Sequence, residues 1–171
     1  YKLVSARKMA GLSLQNLADK LGNVVSKQSL SKYEQGKMKP DSDLIIALSG
    51  ILNVPVDFFY SEPSVAVELS SIDFRKYSSR LSKSEQEAIE EKVKEAFERY
   101  FELENILILS DPVEYYRYPE TVTSADIAEA AAKELRGIWN LGYDPIPDVV
   151  EMLEDKGYKV VEIEASGAFD G

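Results

Sequence analysis

The sequence contains no cysteine and no histidine. Without cysteine there is no disulfide framework, no thiolate metal site and no cysteine nucleophile. Without histidine there is no Ser-His-Asp triad, no imidazole metal ligand and no HExxH zinc motif. Long apolar runs are also missing. None approaches the roughly 18–20 residues that a membrane span needs, so no membrane partner is expected. No secretory signal is visible, and the lack of cysteine suits a reducing compartment, so a cytoplasmic location is expected. Positive charge is in deficit: 20 Lys and Arg stand against 30 Asp and Glu in 171 residues, a net charge of −10. Taken whole, that balance argues against a simple nucleic-acid binder.

What is present is unevenly distributed. Residues 1–60 hold eight basic and five acidic side chains, a net of +3, and the remainder carries −13. Within residues 1–40 the balance is +6. A small basic head thus precedes an acidic body, an asymmetry that suggests a nucleic-acid-facing head. The body should be repelled by DNA, which would help aim the head. The chain opens on Tyr1-Lys2-Leu3 without methionine and stops at Phe169-Asp170-Gly171. Both ends read as cut, as in a fragment of a longer protein.

Punctuation divides the head into short helices. The first runs to Ala10 and stops at Gly11. Ser13 caps a second, with Leu14, Leu17, Ala18 and Leu21 on one face and Gly22 at its end. Ser26 caps a third, Lys27–Gln35, ended by Gly36. Pro40-Asp41 opens a fourth, with Leu44, Ile45, Leu48, Ile51 and Leu52 at helical spacing. Asn53-Val54-Pro55 breaks it, and Val56–Tyr60 reads as a fifth, short helical segment. The second and third helices form a helix-turn-helix. Ala18 is small where two helices cross, and Leu17, Leu21, Leu30 and Tyr33 can share a core. The exposed face of the third helix then carries Lys27, Gln28, Ser31 and Lys32, which have the chemistry to reach base edges and phosphates.

Arg7, Gly11, Leu17-Ala18, Gly22, Leu30-Ser31, Tyr33-Glu34, Gly36 and Pro40, followed by Asn53 to Phe59, resemble the Xre-type (lambda-repressor-like) DNA-binding domain over about residues 1–61. The resemblance implies a five-helix domain whose recognition helix, about residues 26–35, enters the major groove of double-stranded DNA. Gln28 is then the candidate for adenine, because its amide both donates and accepts. Lys27 and Lys32 read guanine or hold phosphates, with Ser26 and Ser31 beside them. Lys37 and Lys39 suit the backbone. The family often has a glutamine in the first turn of its second helix as a phosphate contact. Leu14 stands there, so Ser13 or Gln15 is expected to substitute. The turn at Asn23–Val25 is about two residues longer than the common form. The family also implies that Arg7 pairs with Glu34, locking the first helix to the third.

The body, beyond a linker at Ser61-Glu62-Pro63-Ser64, is expected to open with a connector over residues 62–121. Val65–Phe74 reads as a strand or hairpin. Ser82 and Glu85 form a capping-box pattern before a long helix with Ile89, Val93, Phe97, Tyr100, Leu103 and Leu107 on one face, ended by Asp111-Pro112. The clusters Glu90-Glu91 and Glu102/Glu104 read as solvated faces, and Glu151 with Glu154 as helix neighbours rather than a catalytic pair. Thr123 to Asp126 starts another helix, carrying Ile127, Ala131, Leu135 and Ile138/Trp139. Pro147 suits the first turn of a third, ending at Lys156-Gly157, and Tyr158–Glu164 reads as a strand. The runs Ala130 to Arg136, Trp139 to Gly142, Pro145 to Pro147, Leu153-Glu154, Lys156 to Val160 and Phe169 to Gly171 resemble the opening of ImmA/IrrE-type domains, over residues 122–171. In that family an HExxH helix follows and binds zinc. None of those ligands is in this chain, so no metal or catalytic residue is assigned; zinc would belong to a part beyond Gly171.

The expected architecture is mainly α: a five-helix N-terminal domain, a helical connector, and the start of an α+β domain. Three functions compete. The first is a sequence-specific DNA-binding transcriptional regulator whose acidic body dimerises or senses a protein or small-molecule effector. The second is the non-catalytic front part of a regulator-linked zinc metallopeptidase. The third is an antitoxin-like protein-binding adaptor. Xre-type domains usually read DNA as two-fold dimers, so a homodimer through the Ser82–Leu109 helix is expected.

Overall fold

In the computed structural model of the chain, residues 2–62, 64–69, 81–108, 116 and 121–165 are described. They form seven α-helices and a 3₁₀ turn: α1 (Leu3–Met9), α2 (Leu14–Lys20), α3 (Lys27–Glu34), α4 (Ser42–Leu52), the 3₁₀ turn (Val56–Tyr60), α5 (Lys83–Leu107), α6 (Ala125–Ile138) and α7 (Val149–Asp155). The chain divides into two compact units, Tyr1–Ile108 with Val161–Gly171, and Leu109–Val160.

The helices of the first unit begin where a side chain can take an orphan backbone N–H. Ser13, Ser26 and Asp41 each accept a hydrogen bond from the backbone N–H three residues on. The apolar residues between the caps recur at three- and four-residue steps and converge. Leu3, Ala6, Leu17, Ala18, Leu30, Leu44, Ile45, Leu48, Leu52, Phe58 and Phe59 form one buried core, with Leu14, Leu21, Tyr33 and Ile51 packed partly against it. The fifth segment of this domain is a 3₁₀ turn rather than an α-helix. It is five residues long and places Phe58 and Phe59, in edge-to-face contact at 6.1 Å, under the core.

The capping box at Ser82 is formed: Glu85 N–H donates to Ser82 Oγ, and the Glu85 carboxylate accepts from the Ser82 N–H at 2.8 Å. The 25-residue α5 that follows packs on α1, so the compact unit continues past residue 61 to Ile108. Only part of its apolar line is covered. Ile89 is buried, Val93, Phe97 and Tyr100 are half-buried, and Leu103 and Leu107 are exposed. The helix ends at Leu107, and the expected stop at Asp111-Pro112 lies outside the described residues.

In the second unit, Ser124 caps α6 and Asp148 caps α7. Asp148 accepts from the N–H groups of Val150 and Glu151, which starts α7 after Pro147 rather than with it. Arg136 closes the loop behind α6 by donating to the carbonyls of Gly142 and Asp144. Trp139 and Tyr158 meet edge to face at 5.8 Å. None of the described residues of this unit is fully buried.

The strand expected at Tyr158–Glu164 is not formed, and no described residue is in a strand. A strand needs a neighbour to complete its hydrogen bonds, and alternating apolar residues alone do not supply one. Residues 65–69 of the expected strand or hairpin at Val65–Phe74 are likewise unpaired, and the rest of that segment lies outside the described residues. The described residues are therefore helical, and none of them forms a strand of the expected α+β domain.

Candidate nucleic-acid interface

The candidate site is built on α2, α3 and the turn between them. Leu17 and Ala18 on α2 and Leu30 on α3 are almost wholly inaccessible, so the two helices are held by direct packing. A bulkier side chain than Ala18 would force them apart. The turn contains two successive left-handed residues, Gly22 at φ +68° and Asn23 at φ 57°. Glycine adopts this region freely, and asparagine is among the few other residues that tolerate it. The Gly22 N–H donates to Asp19 O at 2.9 Å and the Asn23 N–H to Ala18 O at 2.9 Å, so the end of α2 keeps its bonds through the turn. Val24 stands in this turn, 86% exposed.

With the apolar side of α3 committed to the core, its opposite side presents Lys27, Gln28 and Lys32 to solvent. Ser31 is half-buried, and its Oγ accepts from Gln35 Nε2 at 2.9 Å. Ser26 is exposed and caps the helix, sharing its hydroxyl with Ser29 at 3.1 Å. At the start of α2, Ser13 Oγ accepts from Asn16 N–H at 3.1 Å. A capping serine uses a lone pair and retains its own proton, so Ser13 still has a donor for a phosphate oxygen. Gln15 is exposed and donates to Asp19 Oδ1 at 3.0 Å, which leaves its amide oxygen as an acceptor. Lys37 and Lys39 are exposed in the segment after α3.

Arg7 fixes the angle of this face. Its Nε donates to Glu34 Oε1 at 2.5 Å, its Nη2 to Glu34 Oε2 at 2.9 Å, and its Nη1 to the Leu12 carbonyl at 2.8 Å. The side chains are only 14% and 9% exposed. A planar guanidinium meeting both oxygens of a carboxylate is the strong, geometrically specific form of ion pair. One side chain thereby joins α1, the loop before α2, and the last turn of α3.

A second buried charge cluster was not foreseeable from either half of the sequence alone. Lys2 Nζ lies 2.7 Å from Glu95 Oε2 and 3.1 Å from Glu98 Oε2, and 5.3 Å from the Phe58 ring centroid. It ties the start of α1 to the middle of α5. Burial works against the Lys2 charge, but hydrogen bonds and attraction from the two carboxylates outweigh it and raise its pKa. No local signal marked it: Glu95 and Glu98 share a helical face with Glu91 and Glu102, so spacing alone does not set them apart from the glutamates read as solvated.

Residues 3–59 match the family model described as Helix-turn-helix. A SPbeta prophage-derived uncharacterized HTH-type transcriptional regulator, YonR, of Bacillus subtilis (strain 168) is 37% identical over 71 residues, 42% of this chain and 64% of that protein. An uncharacterized HTH-type transcriptional regulator of the same organism, YqaE, is 39% identical over 56 residues, 33% of this chain and 47% of its own length. The HTH-type transcriptional regulator ImmR, also of that organism, aligns over more of the chain: 24% identical over 110 residues, 64% of this chain and 73% of that protein. The chain thus spans about half to two thirds of the first two of these relatives. No solved structure matches. Residues 3–59 are a helix-turn-helix domain.

Proposed function

We propose that the chain is the DNA-binding part of a transcriptional regulator, with α3 entering the major groove of double-stranded DNA in the cytoplasm. The observation that carries this reading is the exposed polar row Lys27, Gln28 and Lys32 on a helix whose other face is locked into a core and held by Arg7. Gln28 reads adenine through its amide. Lys27 and Lys32 serve guanine or phosphate, and Ser13, Gln15, Ser26, Ser31, Lys37 and Lys39 position the domain on the backbone. Similarity to regulators on the helix-turn-helix segment supports the assignment.

Selection of binding sequences from a random duplex pool tests it. A defined motif is expected, with affinity falling steeply as salt rises and with Gln28→Ala relaxing one position by about 1–3 kcal/mol. Failure to enrich any sequence would refute the reading. Half-sites one helical turn apart, about 34 Å, would report a two-fold dimer on one face of the duplex. The dimer contact we assign to the far end of α5, where Leu103, Ile106 and Leu107 are exposed together. Light scattering that gives a monomer, with operator affinity intact after Leu103→Lys, would remove that contact.

For residues 122–171 we propose the opening segment of an ImmA/IrrE-type domain. The support is the amphipathic α6, whose Ile127, Ala131 and Leu135 share a face yet are only half-buried within their unit. The residues present do not fit a catalytic zinc ion, because the chain has no histidine and no cysteine.

A further inference from the structure

A groove of about 520 Å³ opens beside the recognition helix, and the connector helix forms one of its walls. Gln15 of α2 and Lys27 of α3 line it on the helix-turn-helix side. Lys8 at the end of α1 and Lys83, Ser84 and Glu87 of α5 also line it, with Arg7 and residues 11–14 between them. We propose that the first turn of α5 is part of the DNA-binding surface, with Lys8 and Lys83 holding the phosphate backbone next to the stretch that Lys27 and Gln15 face. This proposal rests on the DNA-binding reading and extends it to an element outside the matched helix-turn-helix segment, residues 3–59.

Charge and continuity carry the assignment. Three ammonium groups face one groove against the single carboxylate of Glu87. Lys83 meets Glu87 only at 4.0 Å, with its side chain 90% exposed, so the solvated pair holds the ammonium weakly. Among the described residues neither Lys8 nor Lys27 is in an ion pair. The acidic residue of the first turn, Glu85, is engaged: its carboxylate accepts from both the N–H and the hydroxyl of Ser82. That capping box also occupies the start of the helix, so the lysine side chains are the binding groups rather than free backbone N–H groups. A duplex on α3 presents a row of phosphates spaced regularly along the adjoining groove wall, and a second basic wall there extends the contact by one or two of them.

Counterion release supplies the test. Binding of the full chain to a selected duplex is measured by fluorescence anisotropy between 50 and 200 mM KCl. Lys8→Ala and Lys83→Ala are each expected to make the slope of log K against log salt shallower by about 0.9, equivalent to roughly a threefold smaller loss of affinity across that range. Lys83→Arg is expected to keep the wild-type slope. Lys94→Ala, which removes the same charge about 16 Å further along α5, is expected to leave the slope unchanged. Gln28→Ala is expected to relax sequence preference with no change in slope. A wild-type slope in the Lys8→Ala/Lys83→Ala double variant overturns the proposal, as does an equal loss in Lys94→Ala, which would show a general charge effect. If the wild type binds no duplex at all, the DNA reading falls first and this extension falls with it. Circular-dichroism melting of each variant separates lost contacts from lost folding.

Discussion

Replacing Glu34 by glutamine removes one charge from the helix-turn-helix while keeping its shape. In the native domain Arg7 makes two hydrogen bonds to that carboxylate and one to the Leu12 carbonyl. After the change the guanidinium remains, 14% exposed, with the Leu12 carbonyl and an amide oxygen for company. Stranding one partner of a buried pair costs about 3–5 kcal/mol. The residual contact with water places this site near the lower end, about 3 kcal/mol, which in a domain of this size lowers Tm by roughly 12–24 °C. Urea unfolding gives the number directly, as a lower midpoint with an unchanged slope. The same variant at a temperature where it is folded should bind DNA more weakly, because the last turn of α3 is no longer held to α1. Arg7→Met/Glu34→Leu supplies the control: with both charges gone, most of the stability should return, since an apolar pair of similar volume often replaces a buried ion pair without loss. A Glu34→Gln midpoint within about 0.5 kcal/mol of wild type would refute the reasoning, because it would mean that water already solvates the pair and that it contributes as little as an exposed one.

Lys2 gives a pH signature of defined sign. Its pKa is raised in the folded protein by Glu95 and Glu98, which overcome the opposing effect of burial, so its contribution is complete below its ordinary value of 10.5 and is lost as pH rises through the folded value. The stability gap between wild type and Lys2→Met should therefore be flat through neutral pH and close above about pH 10.5 in alkaline urea titrations; a gap that widened there would contradict it. Ala18→Leu should cost about 1–3 kcal/mol by forcing α2 from α3, and should weaken DNA binding beyond what stability explains; a neutral effect would show that the crossing has slack. Ser26→Ala should lower stability by about 1 kcal/mol through the lost cap of α3, measured in the same urea titration.

The helix-turn-helix was legible because its signals are local. Ser13, Ser26 and Asp41 act on backbone groups three residues away, and Gly22 and Gly36 mark chain reversals that depend on their own φ alone. The polar face of α3 followed by subtraction, once Leu30 and Tyr33 were given to the core. The strand expected at Tyr158–Glu164 shows the opposite situation. Its alternation of Val160, Val161 and Ile163 is compatible with a strand, but a strand exists only with a partner, which is non-local information. The buried cluster at Lys2 is non-local in the same way. Its acidic members lie more than 90 positions along the chain, and only the packing of α5 on α1 selects Glu95 and Glu98 from a helix rich in glutamate.

The same packing decides how the acidity of the body bears on the head. Helix α5 is itself acidic, four basic residues against eight acidic ones, so its docking on a helix-turn-helix domain proposed to bind DNA would be self-defeating if charge acted as a bulk property. It acts over a screening length of about 8–10 Å at moderate salt. Lys83 stands at the groove, whereas Glu95 is twelve residues further on, about 18 Å along the axis and roughly two screening lengths away. Glu95 and Glu98 are in addition neutralised by Lys2, with Arg99 and Lys94 paired to them from the same helix. What reaches a phosphate backbone at the groove is therefore the local sum of Lys8, Lys27 and Lys83 against Glu85 and Glu87, which is still positive. A net charge of −10 is compatible with DNA binding because the sign that matters is set by which residues lie within one screening length of the duplex, and the Lys2 cluster sets that by fixing which end of α5 lies there.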